Sequence, residues 1–293
     1  MTKSLTIPTV SLVNLKGGVG KTALTVNLAF ALAEWHHRAV LVVDIDPQFN
    51  ATQHLLDEEI IVNELSGRTV KDILDPTPAA IQIGTRKKSR KLSPQDFVQE
   101  VQTVGRGTLS LVPSLLDLSF VSRNPANKEG RLERFLHKVQ HDYDIILIDC
   151  PPTISVLTHA AFNASRYYVV PVTADYFAPI GIPLIEEEVS FYLENLHADT
   201  GEMQPLGIVF TIVDSRWHAD WESVARRVTQ STKIPPFGTH FTYSKYWREC
   251  ASSHEPVYRR HGKSPPAKQL ANFCEQFLER LDAAEGSRRQ ANE

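Results

Sequence analysis

The run Lys16-Gly17-Gly18-Val19-Gly20-Lys21-Thr22 constrains this chain more than any other stretch. An apolar segment, Thr9-Val10-Ser11-Leu12-Val13, leads into it, and Thr25, Leu28, Ala29 and Leu32 follow at helical spacing within a helix expected over 22–35. Strand, glycine-rich turn and helix start, in that order, are the context of a phosphate-binding loop. Glycines let successive backbone N–H groups turn inward without Cβ clashes, so the loop becomes a nest for anionic oxygens. The helix start adds unpaired N–H groups and the positive end of a dipole. In such a loop Gly17, Gly18, Val19, Gly20 and Ala23 give backbone to the cradle. Lys21 reaches the terminal phosphates of a bound nucleotide, and the Thr22 hydroxyl ligands Mg2+.

The general form of this loop has a glycine where the chain has Leu15, and lacks the second lysine, Lys16. In both respects the stretch resembles the loop of the ParA/MinD family of deviant Walker ATPases, K-G-G-x-G-K-[ST]. The resemblance implies that Lys16 reaches across a dimer interface to the nucleotide of a second copy. Further on, Ala39-Val40-Leu41-Val42-Val43-Asp44-Ile45-Asp46 is a nearly continuous apolar run ending in two carboxylates. Such runs suit strands buried on both faces of a parallel sheet, and open α/β sheets place ligands at strand C-terminal ends. Asp46-Pro47-Gln48-Phe49-Asn50-Ala51-Thr52 is similar to the family's D-x-D-P-Q-x-N-A-T stretch, which implies that Asp46 handles the attacking water and Asp44 supports the Mg2+ shell. Tyr143-Asp144-Ile145-Ile146-Leu147-Ile148-Asp149-Cys150-Pro151-Pro152 is an apolar strand ending in an acid. It resembles the family's Y-D-x-I-x-[IV]-D-x-P-P and implies that Asp149 holds Mg2+ opposite Thr22. Pro171 to Gly181 echoes P-v-x-x-[DE]-y-x-A-x-x-G.

Composition limits the partners. Hydrophobic residues make 42% of the 293 and charged residues 22%, ordinary for a globular chain with a sizeable core. The net charge is −3, so any affinity for nucleic acid has to come from a local patch. Cys150, Cys250 and Cys274 stand alone, with no C-x-x-C, which fits a reducing compartment. The N-terminus has no apolar signal-peptide core and no run approaches a membrane span. These features point to a cytoplasmic protein.

Other segments carry weaker signals. Val70 to Leu74 reads as a short helix stopped by Asp75-Pro76, and residues 76–108 as a family-specific insert. Arg86-Lys87-Lys88-Ser89-Arg90-Lys91 is either a contact for DNA phosphates or a solvated loop. Ser93-Pro94-Gln95-Asp96 looks like a helix start, with Phe97, Val98 and Val101 facing inward. Leu132, Phe135, Leu136 and Val139 mark an amphipathic helix. Strands are expected at 168–172 and 206–214, the latter approaching the adenine in relatives, and a helix at 221–228. Glu249 to Val257 resembles E-A-x-x-x-g-x-P-[IV]. That register puts Thr242 and Ser244 where relatives have the Pro and Asn of an adenine-contacting turn, and Tyr246, beside Lys245, where they often carry a DNA-contacting arginine. Leu270, Phe273, Phe277, Leu278 and Leu281 share one face of a last helix, which interleaved acids assign to packing rather than to a membrane surface.

The expectation is one α/β domain over 1–293, with an ordered core at 9–281 and a polar tail at 283–293. It has a mostly parallel sheet flanked by helices on both faces, the SIMIBI-type P-loop NTPase fold. The resemblance implies a Mg2+-dependent ATPase of weak intrinsic activity. It implies a homodimer on ATP binding, nonspecific DNA binding in that state, a nucleoid association, and a ParB-like protein that stimulates hydrolysis. The first strand begins near residue 9, which leaves no room ahead of it for a helix-turn-helix. Two other readings stand beside this one: a ParA-like ATPase positioning a protein complex, and, remotely, an iron-protein-like reductase using the cysteines.

Overall fold

The apolar runs of the sequence become the middle of one eight-stranded sheet. The structure, a computed structural model, describes residues 5–76, 92–123, 125–175, 178–196, 203–214 and 218–292, so the basic run at 86–91 lies outside it. In chain order β1 (Thr9–Leu12) leads to α1 (Lys21–Trp35) and β2 (Ala39–Asp44), followed by α2 (Asn50–Leu55), α3 (Glu58–Asn63) and α4 (Val70–Leu74). Next come β3 (Gln99–Val104), β4 (Gly107–Val112), α5 (Glu129–Val139), β5 (Ile145–Asp149), α6 (Val156–Ala164) and β6 (Tyr167–Thr173). The last part holds α7 (Ala178–Leu196), β7 (Gln204–Val213), α8 (His218–Ser231) and β8 (Pro236–Thr242). It ends with α9 (Tyr246–Ser252), α10 (Val257–His261) and α11 (Pro265–Asn292).

The strands lie in the order β3-β4-β2-β5-β1-β6-β7-β8. All neighbours are parallel except β3, which runs antiparallel to β4 at one edge. Central strands read as unbroken apolar runs because helices cover both faces. One core packs α4 to α8 on the sheet, through Leu132, Leu136, Ile185 and Tyr192 among others. The opposite core packs α1, α2 and α9 to α11, through Leu28, Leu32, Phe273 and Phe277. Helix α1 is apolar nearly all round because α11 and α2 enclose it.

Two expectations change. The helix begun at Ser93 is a single 3-10 turn, Pro94–Phe97, capped by reciprocal Ser93 and Asp96 bonds. It gives way to β3, and Val101 lies in that strand rather than on a helix face. A two-residue Gly105-Arg106 turn, Gly105 at φ 61°, folds the chain back with Val104 opposite Gly107. Glycine leading a two-residue turn is a hairpin signal. The polar tail also continues as helix through Asn292. Glu285 holds it down, accepting from Tyr167 Oη at 2.8 Å and pairing with Arg166 at 3.1 Å.

The open edge at β8 is closed by side chains. Gln276 on α11 accepts from the Gly238 N–H and donates to Thr239 Oγ1, both at 2.8 Å. Gln269, seven residues earlier, accepts from the Thr242 N–H at 3.1 Å.

Candidate functional site

The site forms where β1, β2 and β5 end side by side. Register sets Leu12 and Asp44 both opposite Asp149, so two acids share one level next to the loop that leaves β1. That loop is pinned on three sides. Asn14 donates to Pro171 O on β6 at 2.7 Å and accepts from the Lys16 N–H at 2.9 Å. Thr211 on β7 donates to Val19 O at 2.7 Å. Gly18 and Gly20 sit at φ 74° and 85°, the left-handed region that favours glycine, and Gly20 caps α1. The first N–H groups of α1 have no intrahelical acceptor, as at any helix start, and the helix's bonding begins with Leu24 N–H to Gly20 O at 2.9 Å.

The two lysines of the loop point to different places. Lys21 is buried and its Nζ donates to Asn14 O at 2.9 Å and Lys16 O at 3.1 Å, inside the loop's curve. Burial pushes its ammonium below the usual lysine range, against the raising fields of Asp149, Cys150 and Asp46. Lys16 is 55% exposed, and its Nζ pairs with Asp175 just beyond β6.

The acids are built into a network. Thr22 Oγ1 donates to Asp149 Oδ2 at 2.6 Å, and Thr25 Oγ1 lies 3.2 Å from Asp149 Oδ1. Asp44 Oδ2 accepts from the N–H and the hydroxyl of Thr52, each at 2.8 Å, and its Oδ1 accepts from the Asp46 N–H at 3.2 Å. Thr52 Oγ1 accepts from the Ser114 N–H, and Ser114 Oγ donates to Asp46 O, both at 2.9 Å. Asp44 and Asp149 are fully buried, and desolvation pushes both carboxyls up. For Asp44 the neighbouring Asp149 charge adds to that, while the Thr22 bond works against it at Asp149. Burial also raises Asp46, opposed by the Gln48 N–H and Lys21. Such an acid cluster is set to gain a cation.

Thr22 Oγ1 and Asp149 Oδ2 are hard oxygen donors that converge at the mouth of the loop, the donor type Mg2+ prefers. Both oxygens of Asp44 already accept bonds from the protein. Among the described residues no group of three or more His, Cys, Asp or Glu is set to hold a metal. A Mg2+ ion here would therefore complete its shell with phosphate and water oxygens, its usual habit in nucleotide sites.

Beyond the loop a cleft of about 250 Å³ runs from Gly18 and Gly20 to the ends of β7 and β8 and onto α9. Thr242 and Ser244 line it, as the family register expects, together with Ile212, Phe241, Tyr243 and Trp247, which sequence reasoning missed. Strand β8 carries no strong alternation, so nothing in the chain announces Phe241 or Trp247 as neighbours of the loop. Tyr246 faces away from the cleft and stacks on His261, ring centroids 4.1 Å apart. All three cysteines are buried, and desolvation pushes the Cys150 thiol up to about 12. None is exposed for a cluster shared between two chains. Among the described residues no helix is long and apolar enough to cross a membrane.

Comparison with known proteins agrees with this geometry. Residues 7–199 match the family of AAA domains. The chain is 34% identical over 207 residues to the sporulation initiation inhibitor protein Soj of Bacillus subtilis, covering 71% of this chain and 73% of that one. It is 28% identical over 265 residues to the chromosome partitioning protein ParA of Myxococcus xanthus, covering 90% and 83%. Among solved structures it is similar to cobyrinic acid a,c-diamide synthase from Mycobacterium smegmatis with bound ADP and magnesium. That match has a TM-score of 0.65 at 25% identity, over 88% of this chain and 96% of the other.

Proposed function

The chain belongs to the ParA/MinD family, and on that premise we propose that it is an ATP-dependent dimeric switch. It hydrolyses ATP to ADP and phosphate, binds DNA nonspecifically in the ATP-bound dimer, and serves plasmid or chromosome partition in the cytoplasm. Gly17 to Ala23 cradle the phosphates and Lys21 neutralises their charge. Thr22 and Asp149 hold Mg2+, which neutralises charge on the transferring phosphoryl group. Asp44 braces that shell through Thr52, and Asp46 orients the attacking water. Such catalysis is mostly positioning and charge neutralisation, so turnover is slow until a ParB-like partner completes the site.

One observation carries the reading. Lys21 is buried in its own loop, whereas Lys16 is exposed and leans on Asp175, free to exchange that carboxylate for a second copy's phosphate. Lys16→Ala tests it. ATP should still bind, while ATP-dependent dimerisation and the turnover that follows from it are lost; unchanged dimerisation and turnover would refute the trans role.

Positioning of a protein complex is the second reading. It is favoured by the Tyr246-His261 stack where relatives carry an arginine for DNA. Filter binding of nonspecific duplex, with and without ATP at two salt levels, separates the two. DNA binding predicts ATP-dependent retention at low salt that falls steeply as salt rises. No retention at low salt with ATP moves the reading to the protein cargo.

A further inference from the structure

We infer that the far end of the cleft holds the nucleobase by aromatic stacking on Trp247 without reading its edge, so that GTP is bound nearly as well as ATP. This rests on the nucleotide-site reading above and deepens it.

The polar groups at the positions relatives use for adenine are occupied here. Thr242 gives its N–H to Gln269 Oε1 at 3.1 Å, and its hydroxyl to the same oxygen at 3.3 Å. Ser244 Oγ accepts from the Tyr246 N–H at 3.3 Å. The Tyr243 N–H is spent on Val213 O at 2.9 Å, a bond that ties the two walls of the cleft together.

What remains facing the cleft is apolar. Ile212 and Tyr243 are half exposed there, and Phe241 is buried behind with its ring 5.6 Å from Trp247, edge to face. Phe241 thus fixes the plane of the Trp247 indole. Ile212 sits at φ 56°, where the β7–β8 register breaks, a conformation β-branched residues avoid. A β-branched side chain kept at such an angle signals a constrained wall.

A slot of this kind accepts any flat ring, because every base has a π-face. Sites that reject a near-isostere strongly do so with hydrogen-bonding groups that the wrong ligand leaves unpaired. Apolar walls discriminate by roughly a hundredfold at most.

Competition against a fluorescent ATP analogue, with ATP, GTP, CTP and inorganic tripolyphosphate as competitors, tests the inference. GTP should compete within about tenfold of ATP, and CTP, with its smaller ring, less well. Trp247→Ala should weaken ATP and GTP by the same factor, about tenfold to a hundredfold, and leave tripolyphosphate unchanged, with Trp247→Phe restoring most of the loss. GTP weaker than ATP by well over a hundredfold overturns the inference, as does a Trp247→Ala loss that extends equally to tripolyphosphate. If no triphosphate competes, the nucleotide-site reading falls and this inference with it.

Discussion

The two ends of the cleft are built on different plans. At the phosphate end each polar group is tied to another strand: Asn14 to β6, Thr211 to the loop, Thr22 to β5, Thr52 to β2 and Ser114. At the other end the polar groups of Thr242 and Ser244 turn back into their own neighbourhood. The lesson is about what each end can enforce. Rigidly placed charge and dipoles dictate which group binds and what happens to it. A slot of rings dictates only shape.

The largest break in that contrast comes from Asp46. Asp46→Asn keeps an acceptor for the Gln48 N–H but removes the charge that handles water. Single-turnover hydrolysis should fall about 10²- to 10⁴-fold with nucleotide affinity little changed. A loss of affinity instead would move Asp46 from chemistry to binding.

The two ends are also joined, and acid should loosen the joint. His54 on α2 is buried against Glu255 O, 3.4 Å away, just before α10. Burial pushes its imidazole from 6.5 down to about 4. Between those values the unfolded chain binds the extra proton, so stability rises with pH there and is lost on acidification. Urea midpoints at pH 7 and pH 5 should differ by on the order of 2 kcal/mol more in the native chain than in His54→Gln. Equal pH dependence in the two would remove His54 from the seam.

A smaller test sharpens the base end. Ile212→Gly relieves a left-handed residue worth about 1–3 kcal/mol of strain. The chain should melt no lower than before, yet bind nucleotide about threefold to tenfold more weakly for want of the apolar wall. Thermal melts beside a binding titration show whether both hold; unchanged affinity would mean that wall is idle. The smallest effect belongs to Asp175→Asn. The Lys16-Asp175 pair is solvent-exposed, and such pairs are worth about 0–1 kcal/mol. Freeing Lys16 should lower the ATP concentration needed for dimerisation by no more than about fivefold in sedimentation.

The same division explains what could be read from the chain. Lys16 to Thr22, Asp44, Asp46 and Asp149 were legible because each stands at a strand end, and parallel register brings strand ends together. The hairpin at Gly105-Arg106 was missed because Phe97, Val98 and Val101 mimic a helix face, whereas the turn glycine decides for β3. Strand β8 was missed because its half-buried residues show no clean alternation. Phe241 and Trp247 come from segments far along the chain from the loop they face, and only the sheet order makes them neighbours. The tail at 283–292 is too polar to mark its own helix, and Glu285 shows what holds it.

The glutamine pair on α11 has a consequence for assembly. A bare edge strand is a template on which another chain can add itself without limit. Here Gln269 and Gln276 already occupy the outward N–H groups of Thr242 and Gly238, so an incoming strand would first have to evict them. Growth from that side into fibres is disfavoured. Self-association is left to the strand-end surface, where two copies close on each other and stop.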